Sequence, residues 1–254
     1  MEKLRLLDLF SGIGGLSIGL ENSGVFSTAA FCEIDEFCQK VLTKHWPKVP
    51  IYDDVKTITA ARLAADGITI DAICGGFPCQ DISEAGKKAG LAGHRSGLWF
   101  EYARLIGELQ PRYVIVENVS ELLVRGFDEV LGTLATLRYD AEWHCIQASD
   151  IGAPHIRDRV FIIAYPSSVG QPSEEGEKQR ARTKGLFDRR RFFKRKIKPN
   201  VEKWRPAEPY IHRVAYGVSD RTHRLRALGN AVVPQISEAI GNSIGEYEKF
   251  CSKL

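Results

Sequence analysis

Cys79 follows Gly75-Gly76-Phe77-Pro78, and these follow Ile70-Asp71-Ala72-Ile73-Cys74, a short apolar run of the kind that makes a buried parallel strand. The carboxyl ends of strands in an α/β sheet open onto the ligand crevice, so a thiol thrown off such an end, behind a stiffening proline, is placed like a nucleophile. The glycines, the proline and the following Gln80-Asp81 describe an exposed loop. A free thiol with a pKa of ~8.5 is only a few per cent thiolate at neutral pH, so nucleophilic work there requires nearby positive charge or a helix N-terminus. The other cysteines are 32, 38, 74, 145 and 251; Cys32, Cys74 and Cys145 lie in apolar strand-like runs and are expected to pack as small buried hydrophobes. With no Cys-x-x-Cys and no paired framework, the pattern argues against a zinc site and a disulfide scaffold.

Three further constellations carry chemistry. Asp8-Leu9-Phe10-Ser11-Gly12-Ile13-Gly14-Gly15 reads as a turn between a strand and a helix, where backbone amides approach a ligand closely. It departs from the dinucleotide fingerprint, because Ser17 stands where a third glycine belongs. Glu33 follows Gly12 by 21 residues, at the end of the next strand, where an acid grips ribose hydroxyls; turn and acid together point to an adenosine-type cofactor. Val114-Ile115-Val116-Glu117-Asn118 puts a carboxylate at the end of an apolar strand, a place where charge is rarely idle. Arg157 and Arg159 alternate at the entry to a strand, so both point to one side and can hold a carboxylate, a phosphate or a base carbonyl.

The elements that must position these groups alternate between strand and helix, with a βαβ opening. Strands are expected at 4–10, 25–32, 51–52, 70–74, 113–116, 141–148 and 160–165, and helices at 16–22, 35–45, 57–65, 98–109, 127–137 and 236–250. The loop 80–96 carries three glycines with Lys87, Lys88, His94 and Arg95, and long loops of that kind are usually functional. From Pro166 to residue 223 the periodicity fades into polar, proline-containing and basic sequence, expected to be a small inserted domain.

The chain holds 254 residues, 44% of them hydrophobic, enough to bury a full core. No apolar run approaches a membrane span and the N-terminus does not read as a signal peptide, so a soluble cytoplasmic protein is expected. The formal net charge is only +3, but residues 178–198 hold eleven Lys or Arg against Asp188, a local +10 that leaves −7 on the remainder. Phe187, Phe192 and Phe193 interleave with Arg189, Arg190, Arg191, Lys194 and Arg195, offering both phosphate neutralisation and base stacking, so nucleic acid is the expected polyanion.

Taken in order, Phe10-Ser11-Gly12-x-Gly14-Gly15, Glu33 with Asp35, Asp54-Val55, Gly76-Phe77-Pro78-Cys79-Gln80, Arg95-Ser96-Gly97-Leu98, Glu117-Asn118-Val119, Arg157-x-Arg159 and Ala227-Leu228-Gly229-Asn230-Ala231-Val232-Val233-Pro234 resemble the DNA (cytosine-5)-methyltransferases. The resemblance covers roughly residues 4–165 and 224–250. It implies an α/β, Rossmann-like catalytic domain over 1–165 plus 224–254, a target-recognition region over 166–223, and S-adenosyl-L-methionine as methyl donor. It further implies duplex DNA as partner, a cognate restriction endonuclease in the same system, a monomer and no metal.

Carried onto this sequence, the resemblance makes Cys79 the nucleophile that attacks C6 of a flipped-out cytosine. Glu117 would hold N3 and the exocyclic amine, Arg159 would bind O2, and Arg157 and Asn118 would support the pocket. Phe10 would pack on adenine, Glu33 bind ribose and Asp54 meet the adenine amine, with Ser11, Gly12, Gly14, Gly15, Ile34, Val55, Phe77, Leu98, Asn230 and Ala231 completing the cofactor pocket. Gln80, Ser83, Lys87, Lys88 and Arg95 would enter the DNA, joined by the basic 189–195 stretch. Ile34 stands where an aromatic often flanks the cofactor, and the recognition region is short for a module that reads bases. Relatives use the same cysteine chemistry on transfer RNA, but Gly-Phe-Pro-Cys in place of a Pro-Pro-Cys form leans toward DNA.

Overall fold

The computed structural model describes residues 2–78, 97–153, 155–167 and 227–251. Their backbone builds β1 (Leu4–Leu9), α1 (Gly15–Asn22), β2 (Phe26–Cys32), α2 (Glu36–His45), β3 (Ile51–Tyr52), α3 (Ala60–Ala65) and β4 (Ala72–Gly75). After the loop 79–96, which lies outside the described residues, come α4 (Leu98–Leu109), β5 (Tyr113–Val119), α5 (Phe127–Thr136), β6 (Tyr139–Gln147), β7 (Asp158–Pro166) and, at the C-terminal end, α6 (Pro234–Cys251). Among the described residues one sheet forms, in the order β3-β2-β1-β4-β5-β7-β6. The first five strands in that order are parallel, while β7 inserts antiparallel between β5 and β6.

Both faces of this sheet are covered, which explains why its strands read as continuous apolar runs. Successive residues project to opposite faces. Leu7, Ile73, Val114 and Ile162 meet a layer built from α3, α4 and α5, with Trp99, Tyr102, Leu105, Ile106, Val130 and Leu134 at its centre. Their neighbours Leu6, Cys74, Ile115 and Ile163 meet Leu16 and Leu20 of α1 and Ile236, Ile240 and Ile244 of α6.

The C-terminal helix returns to the first one, and small residues permit the approach. A methyl group on Gly19 would run into Pro234 O and Ser237 Oγ, and Ser237 Oγ donates to Gly15 O at 3.3 Å. At the far end, Glu248 accepts from both Arg112 (2.6 and 2.7 Å) and Tyr113 (2.5 Å), fastening α6 to the start of β5. Residues 227–233 are thereby delivered to the turn after β1.

Three expectations need correction. Residues 57–65 do not form one helix: Asp54 caps a 3-10 turn at Val55–Thr57, and Thr59 separately caps α3 by accepting from Arg62 N. Glu117 is not at a strand end, because pairing of β5 with β7 extends the strand to Val119. Cys145 is exposed rather than buried, since β6 is the edge strand and alternate side chains face solvent.

Asp8 is fully buried on β1, where Ser17 Oγ donates to Oδ2 at 2.7 Å and Oδ1 has no hydrogen-bond partner among the described residues. Burial pushes its carboxyl from 3.8 up to about 7. A raised carboxyl keeps its proton in the native state after the unfolded chain has lost it, so its contribution to stability falls as pH climbs between those two values and levels off above. Relative to Asp8→Asn, the wild type should lose about 2–3 kcal/mol of unfolding free energy between about pH 5 and pH 8, a slope that urea titrations at the two pH values will read.

Candidate active site

The site gathers at the carboxyl ends of β1, β2, β4 and β5, where strand order reverses and an α/β sheet opens a crevice. A cleft of 580 Å³ lies there. β1 leaves the sheet through Phe10, which lines the cleft and whose φ of 54° is a left-handed conformation that costs a non-glycine residue on the order of 1 kcal/mol. Ser11 fixes the turn: its backbone N–H donates to Cys32 O at 3.1 Å and its hydroxyl to Asp8 O at 2.6 Å. Glu33 joins the two strand ends, with Oε2 accepting from Gly12 N at 2.6 Å and Oε1 from Asp35 N at 2.8 Å. Asp35 in turn caps α2. A carboxylate anchored by two amides, 9% exposed and lining the cleft, is a fixed acceptor for paired hydroxyls.

The next wall is Asp54-Val55. Asp54 Oδ1 accepts from Lys56 N at 2.9 Å, and both residues face the cleft. Ile34 lines the cleft as well and is 79% exposed, so its side chain offers an apolar surface there.

On the other side stand Gly76-Phe77-Pro78. Phe77 is buried against Trp99 with ring centroids 5.4 Å apart, and Phe77 O accepts from Asn118 Nδ2 at 3.3 Å. Asn118 Oδ1 accepts from Val119 N, so this side chain braces the segment leading to Cys79. Glu117 is 7% exposed; Arg159 Nε stands 3.0 Å from its Oε1, off the direction of a hydrogen bond, so the contact is a charge pair. Burial pushes the Glu117 carboxyl up, against the pull of Arg159 and Arg157. A methyl group on Gly76 would come within 2.7 Å of Glu117 Oε2, so the glycine leaves the carboxylate its place. Arg157 takes a different route from Arg159: its Nη1 donates to Gly229 O at 2.6 Å, tying the entry of β7 to the turn at 227–230.

Twelve of the residues expected to form a cofactor pocket line this cleft: Phe10, Ser11, Gly12, Gly15, Glu33, Ile34, Asp54, Val55, Phe77, Leu98, Asn230 and Ala231. Gly14 does not. Its missing side chain makes room for the Trp46 ring, which a methyl group there would meet at 2.7 Å. Glu117, Asn118, Arg157 and Arg159 line the same cleft. Cys79, Gln80, Ser83, Lys87, Lys88, Arg95, Arg189, Arg190, Arg191, Lys194 and Arg195 lie outside the described residues, as does most of the expected recognition region. The sequence reading missed Leu16, Cys32, Cys38, Asp53, Ala227 and Val232 as lining residues. Adjacency to Glu33, Asp54 and Ala231 was the available signal for Cys32, Asp53 and Val232.

A sequence model of the C-5 cytosine-specific DNA methylases matches residues 4–207. The chain belongs to this family. M.AquIA, a type II methyltransferase of Picosynechococcus sp., is 30% identical over 249 residues, which cover 87% of this chain and 98% of that protein. M.DsaV of Dactylococcopsis salina is 36% identical over 177 residues, covering 65% of this chain and 47% of the relative. The chain spans less than half the length of several curated relatives it matches. Among solved structures, one described as a DNA modification methyltransferase encoded within an E. coli prophage matches with a TM-score of 0.56 at 31% identity, over 65% of this chain and 47% of the other. The Rossmann-like fold of the methylase family is therefore the architecture of the described sheet, and the cleft lies on the motifs that led from sequence to family.

Proposed function

We propose that this chain is a DNA (cytosine-5)-methyltransferase that moves a methyl group from S-adenosyl-L-methionine to C5 of a cytosine extruded from duplex DNA. The observation that carries the reading is the joining, in one cleft, of the Glu33 and Asp54 wall with buried Glu117 and its partner Arg159 beside Gly76-Phe77-Pro78. The donor chemistry on the first wall suits S-adenosylmethionine: a two-oxygen acceptor for a ribose diol at Glu33, a carboxylate for an adenine amine at Asp54, and apolar surfaces at Phe10 and Ile34 for the ring. Bound there, the cofactor supplies a methyl group on a sulfonium. Gly12, Leu98 and Asn230 would line its remaining length.

The base chemistry follows from this chain's own side chains. The Cys79 thiolate bonds to C6, which breaks the ring's aromaticity and leaves C5 an enamine-like carbon nucleophile. Glu117, with its carboxyl raised by burial, shares a proton with N3 as negative charge develops on the ring. Arg159 holds O2, and Arg157 and Asn118 keep the pocket in register. After C5 has been alkylated, loss of its proton re-forms the 5,6 double bond and expels the thiolate. Extrusion of the base costs a few kcal/mol, which contacts in this pocket offset.

Relatives carrying type II names favour a role beside a cognate restriction endonuclease. The deciding experiment exposes unmethylated genomic DNA to the purified protein and S-adenosylmethionine and maps 5-methylcytosine at single-base resolution. Modified cytosines in a recurring motif are expected. A genome without marks would refute DNA methylation by this chain alone and turn the assay to RNA.

A further inference from the structure

We infer that Arg104, on the helix that follows the loop bearing Cys79, is a positioning residue that holds the Asp54-Val55 wall in place for the cofactor's adenine. The inference rests on the proposed function. Arg104 is not among the residues that line the cleft and belongs to none of the motifs that identify the family. Its guanidinium nevertheless has three engagements. Nε donates to Glu101 Oε2 at 2.8 Å, Nη1 to Glu108 Oε1 at 2.6 Å, and Nη2 crosses to Val55 O at 3.2 Å. Glu108 completes the clamp through its other oxygen, which accepts from Ala60 N at 2.9 Å. One unit on α4 therefore grips both ends of the segment between the wall and α3.

The segment between those grips is short and internally bonded. Asp54 O accepts from Thr57 N (3.0 Å) and Thr57 Oγ1 (2.8 Å), and Arg62 Nη1 donates to Thr57 Oγ1 at 2.7 Å. Such a segment moves as one piece, so a shift of Val55 O carries Asp54 with it. Leu98, at the head of the same helix, lines the cleft as well. α4 thus sets two parts of the pocket wall at once.

Stability alone is a poor account of the cluster. The Arg104, Glu101 and Glu108 side chains are each about a third exposed, and exposed pairs of this kind contribute little to stability. What the two carboxylates do is fix the plane of the fork, so that the third nitrogen points at a carbonyl; a lysine ammonium has no such plane. The geometry serves placement.

The test measures binding of S-adenosylhomocysteine by calorimetry to wild type, Arg104→Met and Arg104→Lys, beside its S-inosyl analogue, which lacks the exocyclic amine. Wild type is expected to favour the adenosyl ligand. In Arg104→Met its Kd should rise about 10-fold and the inosyl-to-adenosyl ratio should fall toward one; Arg104→Lys should restore neither, and kcat at saturating cofactor should stay within about twofold of wild type. Unchanged affinity, or weaker affinity with an unchanged ratio, overturns the inference, as does full rescue by lysine. A wild type that binds neither ligand strikes the functional reading itself, and the two failures are thus told apart.

Discussion

Replacing Cys79 by alanine is expected to reduce methyl transfer below about one-thousandth of the wild-type rate, with S-adenosylhomocysteine and duplex DNA still bound. Carbon 5 of cytosine is a poor nucleophile until something adds at C6, and Cys79 is the side chain that the sequence brings beside the described wall. Pro78, its predecessor, lines the cleft with Glu117, and Asn118 holds Phe77 O. The cysteines that line that cleft among the described residues, Cys32 and Cys38, are poor substitutes. Cys32 is buried, and desolvation with the Glu33 and Asp54 charges pushes its thiol up to about 12, far from a usable thiolate. Single-turnover methylation assays read the loss, and gel shifts read retained binding. A duplex with fluorine at C5 of the target cytosine gives the complementary test: fluorine cannot leave as a proton does, so wild type should remain covalently attached and Cys79→Ala should not. Appreciable turnover by the alanine variant would sink the mechanism.

Much of this site was legible because parallel strands buried on both faces write themselves as apolar runs, and the residues just beyond them are the ones that reach the crevice. Glu33 stood out by its distance from Gly12, and the structure joins the two by a hydrogen bond. What escaped is non-local. Nothing in the run around Glu117 announces that β7 will pair alongside and carry the strand past the acid, because antiparallel insertion is a property of the sheet. Gly14 reads as a ligand-facing glycine, yet Trp46 fills the space beside it, held by Glu21 through its indole N–H at 3.0 Å. Cys145 sits in an apolar run, but on an edge strand alternate positions face water. Arg104 with Glu101 and Glu108 has the spacing of an ordinary solvated helix face, and only the packing of α4 against the Asp54 turn gives it a further role.

Glu117→Gln should lower the rate of methyl transfer about 10²–10³-fold while leaving cofactor affinity within about twofold of wild type. Glutamine keeps the length of the side chain and its place under Gly76, but it can neither lend a proton to N3 nor balance positive charge there. Removing a carboxylate that is costly to bury offsets the lost pairing, and Arg159, with 22% of its side chain exposed, keeps water for its charge. The thermal midpoint should therefore move by no more than a few degrees, which separates lost chemistry from lost fold. The pH dependence supplies the sharper test. Burial raises the Glu117 carboxyl above its usual 4.5, so the protonated form, which the proposed role at N3 requires, persists to higher pH than in an ordinary glutamate and is depleted as pH passes the raised value. The wild-type single-turnover rate should accordingly show a declining limb on that rise, and the glutamine variant should lack it. A limb that survives unchanged in Glu117→Gln would assign the titration to another group and remove Glu117 from the proton's path.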